Sequence, residues 1–257
     1  MSFNQSMILV DTLARLHLKG EARRYLLGYL WWLLEPMLYV AVFYIVFEKL
    51  LQSRQADFLY FLMVGKLVFI WFSKSINQAA NSLETNKGLM AQLNLRKEIL
   101  PLAVIQQGCY RQLVVFGFLF GMLAFNGYLT ALWWWLLPLA AIQTLLITAC
   151  GLCAALLVCW QRDCALLIQL GMVFLLFMSG VFWDLNAIQD PELRAWLLIL
   201  NPMAALIDAY RQVLLLQISP SATTLLRVLM ESLVLLVVTL HAYRRLQFWI
   251  AQRVVSR

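Results

Sequence analysis

Few side chains in this 257-residue sequence are placed to do covalent chemistry. Its two histidines, His17 and His241, lie in separate parts of the chain. Five cysteines (Cys109, Cys150, Cys153, Cys159 and Cys164) sit in or beside apolar stretches, where a free thiol packs as a small hydrophobe. Cys150 and Cys153 form a Cys-x-x-Cys pair, but no second pair and no neighbouring histidine completes a zinc site. The HExxH and GxSxG patterns are missing, as is any Asp-rich metal motif. Gly65-Lys66 lacks the upstream glycine and the following Ser or Thr of a phosphate-binding loop. The expectation is a chain without catalytic residues, metal or cofactor of its own. If ATP drives its work, the ATP and magnesium belong to another subunit.

What remains are charges inside apolar sequence: Glu35, Lys66, Lys74, Arg111, Arg227 and Glu231. An ionisable group in a membrane span is a functional candidate because hydrocarbon penalises it unless it is paired or hydrated. Arg227 and Glu231 stand four apart and can neutralise each other on one helix. Lys74 and Glu35 can snorkel to an interface. Arg111 lies among Gln106, Gln107, Tyr110 and Gln112; such a patch either lines a hydrated path or hydrogen-bonds between helices. Glu231 alone falls short of a carboxylate relay for protons.

The elements that carry these groups follow from composition. The chain is 63% hydrophobic and 13% charged, with a mean hydropathy of +0.78. Soluble domains have about 45–50% apolar and about 25% charged residues. Disordered chains, ordinary soluble enzymes and disulfide scaffolds are thereby excluded. Long apolar runs exclude an alternating barrel, which leaves a bundle of membrane helices. Six spans are predicted: Leu26 to Phe47, Phe58 to Ile76, Leu100 to Phe125, Trp133 to Cys159, Cys164 to Trp183 and Thr223 to Tyr243. Between Gln112 and Gln161 there are 50 residues without a charge, enough for two spans of about 20 residues each, and Asn126-Gly127 marks the turn between them. No cleaved signal peptide is expected, since residues 1–10 lack a basic start.

With this threading, twelve Lys and Arg fall on one side and four on the other, which predicts both termini in the cytoplasm. The net charge of +7 is read as this bias toward anionic headgroups, with no nucleic-acid partner. Trp31, Trp32, Trp160 and Trp249 mark one interface; Trp133 to Trp135 and Trp183 mark the other.

Four segments are not spans. Residues 4–24 place Leu9, Leu13 and Leu16 on one helical face among Arg15, Lys19, Arg23 and Arg24, as in an amphipathic interface helix. Residues 84–98 are too polar to span but carry Leu89, Met90, Leu93 and Leu95 beside Lys87, Arg96 and Lys97, which suits a surface helix covered by a partner. Residues 186–217 read as a re-entrant pair of short helices. The first starts at Asp190-Pro191, the chain breaks at Asn201-Pro202, and the second carries Asp208 and Arg211. Ala251 to Arg257 reads as a short basic tail.

Residues 19–36, with Leu-Gly-Tyr-Leu-Trp followed by Glu35-Pro36, resemble the approach to the first span in bacterial ABC-2 permeases. The similarity is greatest to those exporting surface polysaccharides of O-antigen, capsule and teichoic acid type. Glu84 to Leu89, Ile99 to Leu102, and Leu200-Asn201-Pro202-Met203 with Asp208 and Arg211 resemble further family elements in order. The resemblance implies one all-α transmembrane domain over 1–257, paired with a second copy of itself and two ATP-binding cassette subunits in the bacterial inner membrane. It implies that 84–98 hold the coupling helix, with Lys87, Leu89, Met90, Leu93, Arg96 and Lys97 docking on the ATPase. It also implies a lipid-linked polysaccharide moved from cytoplasm to periplasm through a hydrated channel. Sugar C–H faces stack on aromatic rings, so Tyr39, Phe43, Tyr44, Trp71, Tyr110 and Trp183 are candidate wall residues beside Arg111, although lipid contact or helix packing accounts for each as well. Arg15, Lys19, Arg23 and Arg24 could hold a lipid diphosphate or simply set topology. Export of drugs or small lipids, an integral-membrane enzyme acting on lipid-linked sugars, and a passive scaffold stand as alternatives.

Overall fold

The computed structural model describes residues 3–24, 26–50, 58–92 and 96–255, and no strand occurs among them. Ten α-helices follow one another: α1 (Phe3–Arg24), α2 (Trp31–Tyr44), α3 (Phe58–Thr85), α4 (Lys87–Gln92), α5 (Ile99–Phe125), α6 (Leu136–Trp160), α7 (Cys164–Met178), α8 (Pro191–Leu200), α9 (Pro202–Arg211) and α10 (Ala222–Val255). Leu93 of the expected docking segment lies outside the described residues, as do the side chains of Arg24 and Phe43.

Among the described residues, four helices are long and apolar enough to cross a membrane: α3, α5, α6 with its leading turn, and α10. The pair α8–α9, with the turn that prolongs α9 to Leu216, is apolar but bent by 107°. α2 and α7 are apolar and shorter, at 14 and 15 residues. At 1.5 Å per residue, 15 residues reach about 22 Å, against a hydrocarbon core of about 30 Å. Local chemistry sets several boundaries. α5 stops at Phe125 because Gly127 takes a positive φ of 84° in the turn that follows. α8 begins where the Asp190 carboxylate accepts from the backbone of Glu192 and Leu193, and α9 where Asn201 accepts from Met203 and Ala204. A proline occupies the first turn of each, where its missing N–H costs nothing.

α3 is the central helix. Leu62, Val64, Val68 and Ala79 are fully buried in the main core, which collects residues from α5, α6 and α9. Apolar burial drives little helix association in lipid, so close packing and interhelical hydrogen bonds carry more of it. Gln143 of α6 donates to the Val68 carbonyl at 2.9 Å, and Tyr243 of α10 to the Leu152 carbonyl at 3.2 Å. α1 lies on α5, with Val10 buried in a cluster with Ile99 and Ala103, and Ala14 fully buried as well. Outward faces remain apolar, as Leu167, Leu170 and Phe174 of α7 and Val234, Val237 and Val238 of α10 illustrate.

Arg211 locks the bent pair onto α3. The residue is 4% exposed. It donates to the carbonyls of Gly180 at 2.6 Å, Val181 at 2.9 Å and Phe61 at 3.1 Å. It also lies 3.3 Å from the centroid of the Phe61 ring. Two glycines make room for it. A Cβ on Gly65 would stand 2.4 Å from the Arg211 Nη2, and Gly180 adopts a φ of 67° that turns its chain toward the guanidinium. Replacing Gly65→Ala must displace a side chain held by three carbonyls. We expect Gly65→Ala to cost about 1–3 kcal/mol of stability, the range for overpacking. Arg211→Lys should cost a comparable amount, because a single ammonium cannot reach all three acceptors. SDS-induced unfolding in mixed micelles measures both; unchanged midpoints would contradict the clamp.

Candidate polar groove

One face of α3 departs from the apolar pattern of a span. Ser73, Asn77, Asn81 and Thr85 recur every four residues and so form a single stripe. Each of the last three turns back on its helix. Asn77 donates to the Ser73 carbonyl at 2.9 Å, Asn81 to the Asn77 carbonyl at 2.9 Å and Thr85 to the Asn81 carbonyl at 2.9 Å. The stripe is thus partly satisfied within its own helix and still offers amide oxygens and hydroxyl lone pairs outward. It was legible as a period-four polar pattern, but the predicted second span ended at Ile76 and concealed it.

The stripe forms one wall of an open groove of about 1350 Å³. His17, Gly20 and Glu21 of α1 contribute one end, Glu35 and Tyr39 of α2 one flank, and Gln169, Met172, Val173 and Leu176 of α7 the opposite flank. The α3 wall is largely polar; the α7 wall is mostly apolar. Burial pushes the His17 imidazole below its ordinary pKa, which keeps it neutral at neutral pH.

Ion pairs hold the groove walls together. Lys74 of α3 meets Glu35 of α2 at 2.6 Å, with both side chains about one-third exposed. The two groups read from sequence as snorkelling therefore find each other. Arg111 of α5 pairs with Glu21 of α1 at 3.1 Å and donates to Gln78 of α3 at 3.1 Å. Gln107 donates to the same Glu21 carboxylate at 2.7 Å. Of the two roles open to the Arg111 patch, this geometry is that of interhelical bonding: three helices meet at one side chain. A second link lies beside it, where the Tyr110 hydroxyl donates to Asp11, which also pairs with Arg15 at 2.9 Å. Those bonds, the Tyr110 one foremost, hold the Asp11 carboxyl below its usual pKa. The link is complete at neutral pH and is lost as pH falls through that depressed value.

The remaining candidates are dispersed. Tyr39 lines the groove, with the Lys66 ammonium 5.3 Å above its ring. Lys66 also stands 5.9 Å from the Phe182 ring. Tyr44 is half-buried below Lys49. Trp71 is buried edge-on against Phe116, and the Trp183 indole donates to the Phe177 carbonyl; neither lines the groove. Lys19 and Arg23 are exposed on α1. On α4, Lys87 is exposed, Leu89 half-buried and Met90 buried. Arg96 pairs with Glu98 at 3.2 Å, and Lys97 is buried. Asn201 and Pro202 open α9, and Asp208 accepts from Gln212 at 2.8 Å. Arg227 and Glu231 pair at 3.4 Å, as their spacing predicts, and Arg227 also donates to the Leu198 carbonyl at 2.6 Å.

Several apolar helices, with a groove open along the polar face of α3, define a multi-pass α-helical membrane protein. Comparison with known proteins specifies it: the chain belongs to the ABC-2 type transporter family, whose model matches residues 10–215. It is 27% identical over 234 residues to the O-antigen export system permease protein RfbA of Myxococcus xanthus, covering 89% of this chain and 88% of that one. It is 25% identical over 201 residues to the protein of the same name from Klebsiella pneumoniae, covering 76% and 75%. The family consists of transport permeases, so the chain is a transporter subunit rather than an enzyme.

The Lys74–Glu35 pair allows a direct test. Glu35→Lys should weaken transport by placing two cations at one contact, and adding Lys74→Glu should recover most of it. Because the groove is open to water, we expect a coupling of about 0.5–1 kcal/mol in a double-mutant cycle, well below that of a dry pair. Additive losses would show that the contact does not hold α2 to α3.

Proposed function

We propose that the chain is the membrane-spanning permease subunit of an ABC transporter that exports lipid-linked surface polysaccharide, of O-antigen or capsule type, from cytoplasm to periplasm. ATP is bound and hydrolysed with magnesium on separate cassette subunits. The supporting observation is the asymmetric groove. Its α3 wall offers amides and hydroxyls for sugar hydroxyls, and its α7 wall offers apolar surface for sugar C–H faces or a lipid tail. The groove is open rather than enclosed, which suits a polymer too long for any single cavity. The names of the relatives, O-antigen export permeases, support a polysaccharide cargo.

In this reading two copies pair so that the apolar faces beside the groove are covered and two grooves face one conduit. α2 and α7, with their flanking turns, complete six spans in each copy, and both termini lie in the cytoplasm of a bacterium with an inner membrane. α1 rests at the cytoplasmic interface, where Arg15, Lys19, Arg23 and Arg24 attract anionic headgroups and the diphosphate of the carrier lipid. α4 docks on the ATPase, and α8–α9 form the re-entrant pair near the outer mouth.

Converting the stripe to apolar residues, with Asn77→Leu and Asn81→Leu together, should cut export about tenfold or more by removing hydrogen-bonding partners while the complex with the ATPase still assembles. Surface glycan is read by gel, and the cytoplasmic pool of lipid-linked glycan should rise in step. Normal surface glycan in cells lacking the permease would refute the proposal. Reversing exposed charge on α4 with Lys87→Glu should weaken co-purification of the ATPase, and an unaffected complex would remove α4 from the docking face.

A further inference from the structure

The family match ends at residue 215, and α10 lies wholly beyond it. α10 has 34 residues. At 1.5 Å per residue it is about 51 Å long, so roughly 20 Å of it extends past a hydrocarbon core of about 30 Å. The protruding end carries Arg244, Arg245 and Arg253. The predicted span ends at Tyr243 and Ala251 to Arg257 reads as a basic tail, but the structure continues the helix to Val255.

That extension buries a stripe of its own. Tyr243, Ile250 and Val254 are 1%, 0% and 3% exposed, at the i, i+7, i+11 spacing of one helix face. They belong to a hydrophobic cluster separate from the main core, shared with Met90 of α4, Leu83 of α3, Leu100 of α5 and Cys159 of α6. Tyr243 and Arg253 donate to the carbonyls of Leu152 and Trp160 at 3.2 and 3.4 Å. Phe248 and Trp249 point outward from the opposite side.

α4 is six residues long. A helix of that length has no stability of its own in water, so its position is set by what it packs on. Met90 is the contact that turns inward, and α10 is a main neighbour of α4.

We infer that the protruding end of α10 is a strut that holds α4 in register, so that displacement of α4 by the ATPase reaches the ends of α3, α5 and α6 through this second cluster. Ile250 and Val254 are its positioning residues. The inference rests on the reading of α4 as the docking helix. A short helix with a loose backing would move under load without moving the spans. With Ile250 and Val254 wedged into the cluster, the load passes to the ends of α3, α5 and α6 at once.

The test uses the full permease with its ATPase, comparing Val254→Asp, the milder Ile250→Ala and Val254→Ala, and the conservative Val254→Leu. Phe248→Ser on the outward face is the control. Hydrogen exchange of residues 87–92 is measured in the permease alone, then ATPase co-purification and glycan exported per ATP hydrolysed in the complex. The strut predicts that Val254→Asp speeds exchange at 87–92 by about tenfold or more, and the alanine variants by less, as local opening becomes easier. Export per ATP falls in the same order while hydrolysis persists; Val254→Leu restores it, and Phe248→Ser leaves both unchanged. Unchanged exchange at 87–92 in the alanine and Asp variants overturns the strut, whatever the permease carries. Faster exchange with export per ATP intact overturns the relay. If the unmutated permease fails to bind any cassette ATPase, the docking reading fails instead, and the exchange measurement still decides whether α10 holds α4.

Discussion

A polar group placed among apolar helices must find its partner within the protein, because lipid offers none. This constraint organises the molecule. Arg211 satisfies it with three backbone carbonyls from two other segments, and in doing so fixes α9 and the turn at Gly180 against α3. Arg111 satisfies it with Glu21 and Gln78, which ties α1 to α5 and α3. Lys74 satisfies it with Glu35, which joins α3 to α2. All three groups meet α3, so α3 is at once the centre of the core and the point where the charged contacts converge.

The same helix also carries the polar wall of the groove. Its stripe of Ser73, Asn77, Asn81 and Thr85 makes internal hydrogen bonds back to the preceding turn, which lowers the cost of burying the stripe. What is left over faces the groove. The buried face of α3, from Leu62 to Ala79, packs against α5, α6 and α9. One helix thus presents an apolar face to the core and a polar face to the groove. The second cluster, at the end where α4 meets α10, is separate from the main core and is shared by the ends of α3, α5 and α6.

Much of this was legible in the chain. Apolar run lengths located α3, α5, α6 and α10, and Asn126-Gly127 located the break after α5, because each depends on local composition and turn chemistry. Asp190-Pro191 and Asn201-Pro202 announced α8 and α9, since a cap and a first-turn proline act within three residues. Arg227 and Glu231 were paired by helical spacing alone. The family resemblance rested on short motifs and agrees with the match over residues 10–215.

Partners distant in sequence were a different matter. Nothing local distinguishes Arg111 lining a path from Arg111 bonding to Glu21, 90 residues earlier. Trp71 and Trp183 were candidate wall residues by type, and only packing showed one edge-on to Phe116 and the other turned to a backbone carbonyl. Ile250 lay beyond the predicted sixth span and Val254 in what read as a tail, until the helix was seen to continue and bury them. Sequence alone determined that this chain must be a bundle of apolar helices with its charges unevenly shared, because span length and hydropathy are properties of contiguous residues. Tertiary structure alone decided which charges meet and where the groove opens, because those depend on how helix faces are rotated toward one another, and the identity of each residue does not specify that rotation.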